Sequence, residues 1–313
     1  MLFIFRFIAN SLAPLTLLGA MAAYLYPPLF LIFKQSFLWF FAATMFALGL
    51  VLKSEDMNDT LKHPKRIGFG VLTQYLVMPL LGFAVAMLAD LPREIALGFI
   101  IVGCAPGAMA SNVIVYLAGG ALAFSIALTT VATFLSPLVT PTLVELLGGV
   151  FMPIPFWSMM KTILLTVLLP LIVGMVLRRF MKTTLKKTVA DIAPAVAAIA
   201  IIIICSYAVA ANQERIATVG INILVLVVLL NVLGYLAGWF AACWFKFDHK
   251  HRLTLAIEIG MQNAGLGVVL ALKHFTPETA LPGALFAVWC ILTAAGATAY
   301  FRYKHKVHSI SNS

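Results

Sequence analysis

Long apolar runs, each closed by a short charged or Pro/Gly-marked stretch, succeed one another along the whole chain. A run of about 18 apolar residues is long enough to cross the hydrocarbon of a bilayer as a helix. Reading from break to break gives ten spans, at 10–27, 36–53, 66–89, 93–119, 121–148, 157–178, 190–212, 218–246, 251–274 and 280–302. The pattern predicts an all-α polytopic membrane protein. Met1–Ala23 also has the outline of a signal peptide, with one Arg, an apolar run and small residues at Ala20–Ala23. The run continues through Tyr26 with no soluble domain after it, so it reads as the first span.

Composition agrees with this reading. Of 313 residues, 63% are hydrophobic and 10% charged, against about 45–50% and 25% in soluble domains. The net charge of +10 would suit a nucleic-acid partner, but the placement of Lys and Arg gives it another meaning. With the N-terminus in the cytoplasm, the inner segments hold 16 of the 21 Lys and Arg. These are Arg6, Lys53, Lys62, Lys65, Arg66, Arg178, Arg179, Lys182, Lys186, Lys187, Lys246, Lys250, Arg252, Arg302, Lys304 and Lys306. Lys34, Arg93, Lys161, Arg215 and Lys273 fall outside. The bias predicts both termini on the cytoplasmic side of the membrane, with the lipid bilayer as partner and no nucleic acid or protein partner required. Cys104, Cys205, Cys243 and Cys290 sit in separate apolar segments without a CxxC pair, and read as core thiols.

Ten spans divide into two sets of five, and an odd number per half makes the second half enter the membrane inverted. Internal matches support two inverted five-helix repeats. Span 4 carries "GCAPGAMASN" (103–112) and span 9 carries "EIGMQNAG" (258–265). Both interrupt an apolar helix with Gly and then place two polar side chains together, Ser111–Asn112 and Gln262–Asn263, at an offset of 151. Gln74 in span 3 and Asn231 in span 8 are a second correspondence.

Pro106 removes a backbone donor, and Gly103 and Gly107 weaken the helix around it, so span 4 should unwind near 104–108. Gly260, Gly265 and Gly267 place a second unwinding near 259–262. Such breaks survive in a membrane only when buried in protein or lining a wet cavity. Beside the second break lies Glu258, with no Lys or Arg in the apolar part of its span. A charge at that depth costs about 2.5–3.5 kcal/mol even on lenient scales. A bound hard cation, liganded by carboxylate, amide, hydroxyl and carbonyl oxygens, would meet that need. Ser125 and Thr129, four residues apart in span 5, offer two hydroxyls on one helix face. Taken singly, each residue has a plainer reading. Glu258 could snorkel to the surface near Arg252, Ser125 and Thr129 could bond their own helix carbonyls, and Gln74 could be helix–helix glue.

"GCAPGAMASNVIVYLAGG", "LSPLVTPTL", "IEIGMQNAGLG" and "LPGALFAVW" resemble the bile acid:sodium symporter family in its bacterial ten-helix form, and the likeness runs over nearly the whole chain. The resemblance implies a panel domain of spans 1, 2, 6 and 7 (1–60 and 151–216). It implies a core domain of spans 3–5 and 8–10 (61–150 and 217–304), in which spans 4 and 9 cross where they unwind, and a cytoplasmic tail at 305–313. It implies coupling of two Na⁺ ions to an organic anion. The first sodium site matches Ser111, Asn112, Ser125, Thr129 and Glu258; the second matches Gln74, Glu258 and Gln262 with backbone oxygens of Ile259 and Met261.

The implied substrate contacts are Met109, Asn112, Asn263 and Cys290. Relatives resembling the bile-acid transporters carry Thr where this chain has Met109, and His-Asn where it has Cys290 and Ile291. A pocket without those polar groups should not hold a bile acid by the same bonds. The resemblance points to a small organic carboxylate of the pantoate-type precursors linked to related bacterial members. Rivals are proton coupling in the same fold, a channel or receptor, and an intramembrane enzyme. The enzyme finds little footing: His63, His249, His251, His274, His305 and His308 all lie at or beyond span ends.

Overall fold

A computed structural model of the protein describes residues 11–52 and 64–311. Arg6, Lys53, Lys62 and His63 lie outside these residues, as do the side chains of Ile291, Arg302, Lys304, His305, Lys306 and His308. The secondary-structure elements of the described residues are all helices. In order, α1 is Leu12–Leu25, α2 Pro28–Leu31, α3 Phe37–Val51, α4 Pro64–Leu88, α5 Arg93–Gly103, α6 Ser111–Leu117 and α7 Leu122–Gly148. Then come α8 Phe156–Phe180, α9 Thr183–Ala210, α10 Gln213–Trp244, α11 His249–Gly260, α12 Ala264–His274 and α13 Pro277–Ser311.

Among the described residues, five helices are long and apolar enough to cross a membrane, and six if a bent pair is taken as one span. Helix α1, Leu12–Leu25, fills most of the expected span 10–27, and at its end the chain bends by 108° into Pro28–Gln35, a short helical stretch that lay between the first two expected spans. Pro28 has no N–H to give the preceding turn and starts a new helix instead. Span 6 also deviates, with a π-helical turn at Leu164–Leu168 just ahead of Pro170, where the missing donor makes the ladder slip. The last helix runs on to Ser311, past the expected end at 302.

The two expected breaks are present, with different edges. The first is longer than read from sequence, leaving 104–110 non-helical between α5 and α6. The second is shorter and later. Helix α11 continues through Gly260, and only 261–263 separate it from α12. Asp248 caps the start of α11 by accepting from the His251 N–H at 3.1 Å. The His251 ring beside it holds the Asp248 carboxyl below its ordinary range.

Helix α9 packs on α1 and α3, and α3 also packs on α8. The interrupted helices belong to another set of neighbours: α4 lies on α5, α7 and α10; α10 on α11; α13 on α5, α10 and α12. One close approach is made by the Gly234-x-x-x-Gly238 face of α10. A Cβ on Gly238 would stand 2.8 Å from the Leu255 carbonyl oxygen, and one on Gly234 would stand 3.1 Å from the Gly260 Cα. The absent side chains let α10 lie on the backbone of α11, as small residues do in membranes generally. Replacing Gly238 by Leu should push α11 off and cost about 1–3 kcal/mol. Thermal unfolding in detergent checks this against Leu236→Ala on the exposed side of α10, for which little change is expected.

Candidate cation site at two helix breaks

Seven residues of non-helical backbone at 104–110 carry groups that lipid cannot satisfy. The structure meets this need by laying the two breaks side by side. Gly107 and Gln262 form an antiparallel bridge, in which the Ala108 N–H donates to the Met261 carbonyl and the Asn263 N–H to the Pro106 carbonyl, both at 2.8 Å. Side chains take four further carbonyls at the breaks. Thr140 Oγ1 donates to Cys104 O at 2.9 Å. Gln74 Nε2 donates to Ala105 O at 3.1 Å, Asn231 Nδ2 to Gly260 O at 2.8 Å and Gln262 Nε2 to Ile259 O at 2.7 Å.

A match between the halves appears here. Gln74 on α4 reaches the carbonyl just past the end of α5, 31 residues on. Asn231 on α10 reaches the last carbonyl of α11, 29 residues on. In each half, the helix preceding the interrupted one supplies an amide to the carbonyl its break exposes.

Glu258 sits on the last turn of α11, buried to 2% exposure. Its Oε1 accepts from Ser111 Oγ at 2.5 Å, at the start of α6, and from Ser125 Oγ on α7. Ser125 Oγ also lies 2.7 Å from Asn112 Oδ1. A serine hydroxyl has one proton, so as Asn112 is oriented here it can serve one of these acceptors at a time. Two hydroxyl protons thus face one carboxylate oxygen, Oε1, and an amide oxygen. Among the described residues no Lys, Arg or His is paired with Glu258. The cluster is rich in lone pairs and short of positive charge.

The other carboxylate oxygen, Oε2, points at Gly107, where a Cβ would stand 3.0 Å away. Gly107 and Glu258 help line a cavity of about 10 Å³ with Gly70, Gln74, Leu128 and Thr129. That is about the space of one water. The carboxylate therefore lies between an oxygen cluster on its Oε1 side and a small cavity on its Oε2 side.

The structure thus brings Ser111, Asn112, Ser125 and Glu258 into one cluster, and Gln74, Thr129 and Glu258 around one cavity. Thr129 does share a face with Ser125, but its hydroxyl donates to Ser125 O and Ile126 O and it lies on the cavity side. The Ile259 and Met261 carbonyls, expected as free oxygens, accept from Gln262 Nε2 and the Ala108 N–H. Gln262 ties to Gln74, whose Nε2 donates to its Oε1 at 2.7 Å. Met109 lies partly buried in the first break. Asn263 caps α12, its Oδ1 accepting from Leu266 N at 3.2 Å. Cys290 on α13 is buried. Asn112 bonds Ser125, so it belongs to the oxygen cluster beside Glu258 as well.

One participant was not singled out from sequence. Thr140 closes a polar stripe on α7, Ser125, Thr129, Thr133, Ser136 and Thr140, all but fully buried. Its three- and four-residue spacing was readable as one helix face.

The fold and site define a class: a multi-pass helical membrane protein with two interrupted helices joined at their breaks around a buried carboxylate. Comparison with known proteins is consistent with that class. A family model described as the Sodium Bile acid symporter family matches residues 38–219. A Bacillus subtilis protein named an uncharacterized sodium-dependent transporter, YocS, is 38% identical over 287 residues, spanning 92% of this chain and 89% of its own. The probable sodium/metabolite cotransporter BASS1 of Arabidopsis thaliana chloroplasts is 37% identical over 246 residues, 78% of this chain and 61% of its own. Its Oryza sativa counterpart is 35% identical over the same length, 78% of this chain and 60% of its own. The chain spans about three fifths of these plant relatives. The chain belongs to the Sodium Bile acid symporter family, whose members are transporters and not enzymes.

Removing the Thr140 hydroxyl as Thr140→Val leaves a buried carbonyl unpaired and should cost about 1–3 kcal/mol. Chemical unfolding in detergent measures it; Thr142→Val on the exposed face of the same helix is the control and should change little.

Proposed function

We propose that this protein is a sodium-coupled symporter of a small organic carboxylate, working by alternating access across a bacterial inner membrane with both termini cytoplasmic. The observation that carries the reading is Glu258: a buried carboxylate, ringed by oxygens and without a cationic partner among the described residues. Na⁺ is a hard cation that takes such oxygens. One ion would be held by Glu258, Ser111, Asn112, Ser125 and Thr129. A second would be held by Glu258, Gln74 and Gln262 with the backbone at Ile259 and Met261. The position of the carboxylate between cluster and cavity supports its being shared. The relatives named as sodium-dependent or sodium/metabolite transporters support Na⁺ as the coupling ion over a proton.

The ten-span plan of two inverted repeats is supported by the matched amides Gln74 and Asn231. Helices α1, α3, α8 and α9 form the panel; α4–α7 and α10–α13 form the core. Sodium shields Glu258 and draws α11 toward α6 and α7, which firms the two breaks. The carboxylate cargo then meets Met109, Asn112, Asn263 and Cys290 beside them. Panel and core rock against each other and expose the loaded site to the other side.

Purified wild-type protein should gain thermal stability from NaCl over choline chloride, and Glu258→Ala should lose the gain. Ser125→Ala should raise the Na⁺ concentration for half-maximal stabilisation about tenfold, equivalent to about 1.4 kcal/mol of lost ligation. In proteoliposomes, an inward Na⁺ gradient should drive uptake of members of a small-carboxylate panel into wild type but not into Glu258→Ala. Equal Na⁺ stabilisation of wild type and Glu258→Ala would refute the assignment.

A further inference from the structure

Asn231 is the one fully buried amide of α10, and it spans three helices. Its Nδ2 donates to the last carbonyl of α11, Gly260 O, at 2.8 Å. Its Oδ1 accepts from Trp289 Nε1 of α13 at 3.1 Å. Gly260 lies two residues beyond Glu258 on the same helical turn, and Trp289 adjoins Cys290, the residue of α13 expected at the cargo. A side-chain amide is planar and rigid. The turn that carries Glu258 is therefore joined to the indole of α13 through two hydrogen bonds and one stiff group. The α10 backbone holds that group tightly, since Gly234, three residues on, packs against the Gly260 Cα.

We infer that Asn231 is a positioning residue that relays cation occupancy at Glu258 to Trp289, and so to the face of α13 beside the cargo site. The inference rests on the reading of Glu258 as a cation site. When an ion draws the end of α11 toward α6 and α7, the Gly260 carbonyl moves with it. The amide either follows, carrying the indole, or gives up one of its two bonds. In both cases the surroundings of the Trp289 N–H change with occupancy. Asn231 bonds none of the oxygens clustered at Glu258, so removing it deletes no proposed ligand and severs what α13 learns of them.

The probe is NaCl alone, titrated against choline chloride at constant ionic strength. Trp289 emission is isolated as the difference between wild type and Trp289→Phe, since Trp39, Trp157 and Trp244 are exposed at the perimeter and Trp239 is common to both proteins. The expected result is a Trp289 emission change in wild type whose midpoint matches that of Na⁺ thermal stabilisation. In Asn231→Leu the stabilisation persists and the emission change is lost. Two results overturn the relay while leaving the cation site standing: Na⁺ stabilises wild type with no Trp289 response, or the response survives in Asn231→Leu. The first needs only wild type and Trp289→Phe, so it decides the matter even if Asn231→Leu does not fold. If Na⁺ fails to stabilise wild type at all, the cation site falls and the relay with it.

Discussion

A backbone carbonyl without a donor is intolerable in hydrocarbon, and the centre of this protein is organised around that fact. Pro106 and its glycines interrupt one helix, Gly260 ends another, and the exposed groups need partners. Neither break can satisfy itself. The Pro106 and Met261 carbonyls take N–H groups from the opposite break, so the two must meet. Thr140, Gln74, Asn231 and Gln262 supply the remaining donors from the surrounding helices. The pairing of the two breaks is the geometry in which these carbonyls find donors.

Function follows from what the accounting leaves over. Donors are spent on the breaks, and the neighbouring carboxylate is left with two serine hydroxyls and a surplus of oxygen lone pairs. Without a cation, Glu258 carries an uncompensated charge in a buried setting, which is costly. On the proposed reading, a bound cation would take the same oxygens as ligands and bind α11 to α6 and α7. An ion that completes the electrostatics thereby completes the packing of the breaks. That is the requirement for coupling one solute to another, since a ligand shifts an equilibrium only by its difference in affinity for the two states.

Much of this was legible in the sequence, and the unread parts share a cause. Apolar run lengths, Pro106 and the glycines are local signals, and they located the helices and both breaks. Glu258 among polar neighbours was conspicuous because charge is rare in such a chain. The extent of each break was misjudged because it is set by pairing across 150 residues of sequence. Gly260 stays helical, its carbonyl held by Asn231 and its Cα facing Gly234, while 109–110 unwind to let Ser111 reach Glu258. The short helix starting at Pro28 went unread because 28–35 lay in the connection between two expected spans. Thr140 was overlooked because a threonine in an apolar helix reads as bonding its own backbone; only the fold brings Cys104 O to it.

The most direct test of the account is equilibrium binding of radiolabelled sodium to the purified protein, free of cargo. The account predicts saturable binding that unlabelled Na⁺ displaces and K⁺ does not, abolished in Glu258→Gln, which keeps the shape of the side chain and removes its charge. Undiminished binding of labelled sodium to Glu258→Gln would contradict it.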